Sequence, residues 1–203
     1  KKNYYNLKEH LMMYEEIKEL KNKKYSIEAI LTENKFYKSE NERLKNLIGE
    51  KNIYSEEFLL SKVLLDQQSP YLKSVIINKG FKHGIKLGLA VKEKYYFVGK
   101  IINVNFLTSR ILLASDLNSK IPVIIEPTGA NAILSGQGQN NYALLEFLPK
   151  LNKIKEGDVV YTSGIDGIIP AAIPIGKVFA ENENLIVEFF VDFNQLKYVN
   201  VNK

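Results

Sequence analysis

The chain has 203 residues, 45% hydrophobic and 11% aromatic, enough apolar material for one or two folded domains and too much for a disordered segment. Its net charge of +5 is spread through mixed acids and bases, so no basic block offers a nucleic-acid footprint. With no cysteine, a disulfide framework, a thiolate zinc site and a cysteine nucleophile are excluded, and no apolar run reaches the ~18 residues that would span a bilayer.

The chain opens on Lys1-Lys2 in a helical pattern, without an initiator Met or a signal peptide, which suggests a segment removed upstream. Residues 3–48 hold neither Gly nor Pro and are rich in Lys, Glu and Leu, predicting one long helix that stops at Gly49. At about 1.5 Å per residue it would extend roughly 70 Å, too far to hide inside a globule of this size. A seven-residue series runs Met13, Leu20, Ile27, Asn34, Asn41, Ile48. Its partners lie four residues on in the first half (Ile17, Lys24, Leu31) and three on in the second (Ile30, Tyr37, Leu44), so the seam shifts mid-helix. Asn34 and Asn41 fall at core-type positions, where a buried Asn fixes register and favours a two-stranded parallel pair. These residues predict a homodimeric coiled coil over 1–52. The other reading is a polar helix that packs back on its own domain.

After Lys51 short β-branched and aromatic runs recur between Gly, Asn, Asp and Pro. Strands are predicted at 58–65, 74–78, 90–92, 96–105, 110–115, 121–126, 132–135, 142–148, 159–162, 175–180, 185–191 and 198–201, with no further helix longer than a turn. About twelve strands at this spacing suggest a sandwich or two small barrels. A faint repeat runs through them: IKLGLAV (85–91) echoes IKEGDVV (154–160), VGKI (98–101) echoes IGKV (175–178), and RILLASD, ending at Asp116, lines up with VEFFVD, ending at Asp192. The repeat suggests two related β units; chance similarity between β segments is the alternative.

Chemistry is sparse. His10 lies on the helix and His83 in a Gly-flanked turn, and two isolated histidines make a poor metal site or catalytic base. Neither a GxSxG elbow nor a phosphate-binding loop is present, and SGQGQNN (135–141) reads as a hairpin turn. Carboxylates stand singly along the strands. No catalytic residue, metal ligand or cofactor site is predicted. Surface apolarity says more. In IVEFFVDF the alternation puts Val187, Phe189, Val191 and Phe193 on one face and Phe190 on the other, between Glu188 and Asp192. Tyr95, Tyr96 and Phe97 cluster at a hairpin. With Phe190 and the 168–175 loop they form the candidate partner surface.

TSGIDGIIPAAIPIGKV (162–178) resembles the signature TSGxxGxxPxGxPxGxV of MreC, the bacterial rod-shape-determining family, through Gly164, Gly167, Pro170, Pro174 and Gly176. The position two after Pro170, commonly Gly in the family, is Ala172 here. INKGFKHGIKLGLAV, TSRILLASDLNSKIPVIIEPTGANAILSGQG, LLEFLP and IKEGDVVYTSG resemble the family in the same order, over residues 76–180. The resemblance implies a mainly β protein: an N-terminal long α-helix (coiled coil) followed by two small six-stranded β-barrels. The first barrel is placed at 53–109 plus 168–203 and the second, nested within it, at 110–167. The resemblance further implies a transmembrane helix just before Lys1 and a periplasmic, inner-membrane-anchored scaffold without catalytic activity. Implied partners are the class B penicillin-binding transpeptidase of the elongation complex, MreD, indirectly MreB, and a second copy of the chain. A periplasmic adaptor of another envelope complex and a catalytically dead chymotrypsin-like protease fold are the alternatives.

Overall fold

A computed structural model describes residues 2–47, 58–69, 72–138, 141–149, 154–181 and 184–202. The helix α1 runs unbroken over Lys2–Leu47, 46 residues, as the absence of Gly and Pro requires. Met13, Leu20, Ile27, Asn34 and Asn41 all lie on it with exposed side chains; Ile48 and Gly49 fall outside the described residues.

The remaining described residues form two closed, wholly antiparallel, six-stranded barrels. Barrel 1 is built from β1 (Phe58–Ser69), β2 (Leu72–Ile77), β3 (Ala90–Glu93), β4 (Tyr96–Val104), β5 (Ser109–Leu113) and, from the far end of the chain, β12 (Tyr198–Asn202). Its strand order is β1-β12-β3-β4-β5-β2, closing on itself. Barrel 2 uses β6 (Lys120–Glu126), β7 (Ala130–Gly136), β8 (Tyr142–Glu146), β9 (Val159–Thr162), β10 (Pro174–Glu181) and β11 (Asn184–Phe189) in the order β10-β11-β8-β7-β6-β9. Closure leaves no sheet edge in either barrel.

The boundaries therefore differ from 110–167. β5 belongs to barrel 1 because it pairs with both β4 and β2, and β10 and β11 belong to barrel 2. The Gly- and Pro-rich stretch is not a domain boundary. It is the β9–β10 connection, folded back on its own barrel.

The repeat is structural down to single hydrogen bonds. The Gly88 amide donates to Ile101 O (2.8 Å) and the Ile101 amide to Leu89 O (3.0 Å); the Gly157 amide donates to Val178 O and the Val178 amide to Asp158 O (both 2.9 Å). Asp116 Oδ1 accepts from the Asn118 amide (2.7 Å), and Asp192 Oδ1 from the Asn194 amide (3.0 Å). Gly99 and Gly176 occupy equivalent strand positions. A Cβ on either would stand about 2 Å from the carbonyl oxygen of Leu112 or Glu188, so only glycine fits.

The closing strands are exchanged. Each repeat copy supplies five strands to its own barrel, β1–β5 and β7–β11, and a sixth to the other: β6 pairs β7 and β9, β12 pairs β1 and β3. The registers agree: Ile125 lies opposite Val160 and Val201 opposite Val91, positions matched by the repeat. The three residues joining β6 to β7 are too few for anything but a hairpin, so β6 stays beside β7 and barrel 1 must wait for the last strand.

One continuous core fills both barrels, including Ile77, Phe97, Ile101 and Ile111 in the first and Ile121, Leu134, Ile175 and Val187 in the second. Deleting residues 197–203 is expected to open barrel 1 and leave barrel 2 closed. Hydrogen exchange would then accelerate in β1 and β3 and stay slow in β6–β11; uniform loss of protection would show instead that the barrels melt as one.

Candidate functional site

The signature loop is held by its own polar groups. Thr162, wholly buried at the end of β9, donates its hydroxyl to Pro170 O (2.6 Å) and accepts from the Ile173 amide (3.0 Å). Its backbone amide donates to Ile173 O (3.0 Å) and its carbonyl accepts from the Ala172 amide (2.9 Å). Asp166 Oδ1 accepts from the amides of Ile168 (3.1 Å) and Ile169 (3.0 Å), closing a tight turn between the left-handed glycines Gly164 and Gly167. Pro174 begins β10, a position where its missing N–H costs little. Ile169, Ile173 and Ile175 are buried. Ile168 is exposed, yet its Cγ2 reaches across to barrel 1, into the space where a Cβ on Gly88 would stand. The loop thus fills barrel 2 and touches barrel 1 with one side chain.

Ala172 takes a left-handed backbone, φ 65°, as a glycine would. This conformation costs an L-residue about 1–2 kcal/mol. Ala172→Gly is expected to stabilise the fold by up to about 1 kcal/mol, since the relieved strain outweighs the extra freedom of glycine in the unfolded chain. Urea denaturation measures this; a loss of stability would mean the loop does not hold that conformation.

The four aromatic candidates separate. Tyr95 is 79% exposed at the tip of the β3–β4 hairpin, beside Lys94 at φ 54°. Tyr96 and Phe190 are half-buried against each other, ring centroids 4.9 Å apart, one from β4 and the other just after β11. Phe190 is therefore part of the seam between barrels. Phe97 is fully buried and is withdrawn as a surface residue. Its neighbour Val98 is also fully buried, because β4 faces the interior of barrel 1 on one side and β10 on the other. The other face of IVEFFVDF is as predicted: Val187, Phe189, Val191 and Phe193 all lie in the core.

The polar constellations are structural. His83 Nδ1 accepts from the Gly80 amide (3.2 Å) and closes its turn. Lys120 Nζ donates to Ser135 Oγ (2.8 Å) and to both oxygens of Glu146 (2.8 Å each). The hydrogen bond from Lys120, and then that from Ser135, hold the Glu146 carboxyl below its ordinary value. Lys120 and Glu146 therefore form an ion pair on the barrel surface, 2.8 Å between Nζ and Oε2. Among the described residues no group of three or more His, Cys, Asp or Glu could hold a metal.

A cleft in barrel 1 escaped the sequence reading. It measures about 640 Å³ and is lined by Phe81, Ile85, Lys86, Leu87, Val104, Asn105 and Phe106. The signal lay in KGFKHGIKLG, where Phe81, Ile85 and Leu87 sit in a turn otherwise made of Lys, His and Gly.

Residues 63–203 match the family model described as "Rod shape-determining protein MreC, barrel core". The cell shape-determining protein MreC of Cereibacter sphaeroides is 37% identical over 140 residues, 68% of this chain and 46% of that protein, so the chain spans a little under half the length of that relative. The solved structure of MreC from Listeria monocytogenes superposes with a TM-score of 0.75 at 25% identity, covering 91% of this chain and 93% of the other. A further solved structure, a complex between penicillin-binding protein PBP2 and MreC from Helicobacter pylori, shares the fold with a TM-score of 0.56 at 14% identity, covering 72% of this chain and 97% of that one.

Proposed function

The chain belongs to the MreC family of rod shape-determining proteins, and from that premise we propose that it is a non-catalytic periplasmic scaffold of the elongation complex. In this reading it lies on the outer side of the inner membrane and organises side-wall peptidoglycan synthesis. It does so by dimerising through α1 and by binding the class B penicillin-binding transpeptidase, with MreD and indirectly MreB in the same assembly. The observation that carries the partner is the complex with PBP2 formed by the Helicobacter pylori protein of the same fold. The polar groups described above support a scaffold over an enzyme, since they cap turns and pair ions.

Two features support particular contacts. Along α1 the side chains of Met13, Ile17, Leu20, Ile27 and Leu31 are all exposed, a stripe that a second helix would cover. Tyr95 and Ile168 are the large apolar members of the candidate surface that stand open to a partner.

The chain is expected to sediment as a dimer and its Leu20→Lys/Ile27→Lys variant as a monomer. A monomeric wild type would count against the coiled coil. Tyr95→Glu is expected to reduce capture of the transpeptidase's periplasmic part about tenfold in a pull-down, as for a buried aromatic anchor. Undiminished capture, with the circular dichroism unchanged, would remove Tyr95 from the interface.

A further inference from the structure

The cleft in barrel 1 is preformed and apolar. The 3-10 turn Phe81–His83 is tied to the loop after β4: the Phe81 amide donates to Asn105 O (2.9 Å) and the Lys82 amide to Phe106 O (3.1 Å). The Asn105 amide in turn donates to Thr108 O (2.8 Å). These bonds occupy the backbone at the rim, so a ligand cannot add there as a strand and must be held through side chains. They also fix the backbone that carries the two rings. Phe81 is 72% exposed, Leu87 66% and Phe106 65%, above a floor of fully buried Ile85. Three large apolar side chains held open to water around a concave floor are more than scattered surface apolarity.

The segments that line it carry one sign of charge. Residues 78–89 contain Lys79, Lys82 and Lys86, and residues 102–110 contain Arg110; neither segment holds an Asp or a Glu. Lys82 and Lys86 are exposed, and Lys86 lines the cleft itself. An apolar cleft rimmed by ammonium groups complements an apolar side chain flanked by carboxylates. A lipid surface shares the charge preference but not the shape. Insertion into a bilayer uses apolar groups on a crest, whereas these rings border a shallow concavity floored by buried Ile85, whose volume suits one or two bulky side chains.

We propose that the Phe81–Leu87–Phe106 cleft is a docking site for an acidic linear segment of a partner protein, which inserts an aromatic or large aliphatic side chain between the two rings while its Asp or Glu residues meet Lys82 and Lys86. The inference does not rest on the transpeptidase reading, which assigns its contact to Tyr95 and Ile168 and not to this cleft.

The test is fluorescence anisotropy of the whole chain with a fluorescein-labelled peptide, Leu-Phe flanked on both sides by Glu pairs. Its Lys-flanked counterpart and phosphatidylglycerol vesicles are run alongside. Expected are saturable binding of the acidic peptide, weakening with added salt, and little binding of the basic one. Phe106→Glu and, separately, Lys82→Glu/Lys86→Glu should each weaken binding about tenfold or more, while Tyr95→Glu leaves it unchanged. Both variant sites are on the surface, and thermal melts confirm that they fold. Equal binding of the two peptides, or none of either, overturns the proposal. Vesicle binding lost in Phe106→Glu without peptide binding assigns the cleft to a lipid surface. Self-association lost in that variant assigns it to a second copy of the chain.

Discussion

The β-barrel region depends on how each barrel is closed. The short β6–β7 turn holds β6 in barrel 2, so β12, at the end of the chain, has to travel back to fill the gap between β1 and β3. Each copy of the repeat thereby completes the other. The first strand of barrel 1 pairs at once with β2 but finds its second partner only when the last strand has been made, Phe58 lying opposite Asn202. Such non-local closure delays folding and then locks the two barrels into one body.

That lock gives the seam its character. β4 is covered by its own barrel on one face and by β10 on the other, and Tyr96 meets Phe190 across the gap. Ile168 of the signature loop reaches the Gly88 turn of barrel 1. Glycine is required at Gly99 and Gly176 because a neighbouring strand's carbonyl passes where a Cβ would be, in the same way in both copies. The signature loop is thus a structural device, its apolar residues filling barrel 2 and its polar ones saturating its own backbone. Two interlocked barrels without open edges present their surfaces at fixed separations, as the proposed scaffold role requires. Among the groups facing water are Tyr95, at a hairpin tip, and the ring-lined cleft by Phe106, whose backbone is hydrogen-bonded into that body.

Much of this was legible in the chain. The Gly- and Pro-free stretch dictated α1, and alternation with turn residues located all twelve strands, because both signals are local. The repeat could be read from Gly88, Gly99, Asp116 and their counterparts, since those residues answer to backbone needs that recur wherever the same hairpin is built. The signature around Gly164, Pro170 and Gly176 marked the family for the same reason.

Strand partnership and burial on the second face were not legible. The sequence placed a boundary at the Gly- and Pro-rich loop; the tertiary structure folded that loop onto barrel 2, gave β5 to barrel 1 and gave β10 and β11 to barrel 2. It turned Phe97 into the interior of barrel 1, and it paired Phe190 with Tyr96 because β4 and the end of β11 meet at a seam between barrels that no local pattern announces. It exposed Phe81, Leu87 and Phe106 together, although Phe106 is distant in sequence from the other two. The sequence by itself determined the elements, the repeat and the family, all of which follow from neighbours along the chain. The exchange of closing strands, the seam and the cleft depend on which strands meet across the whole domain, and only the tertiary structure decided them.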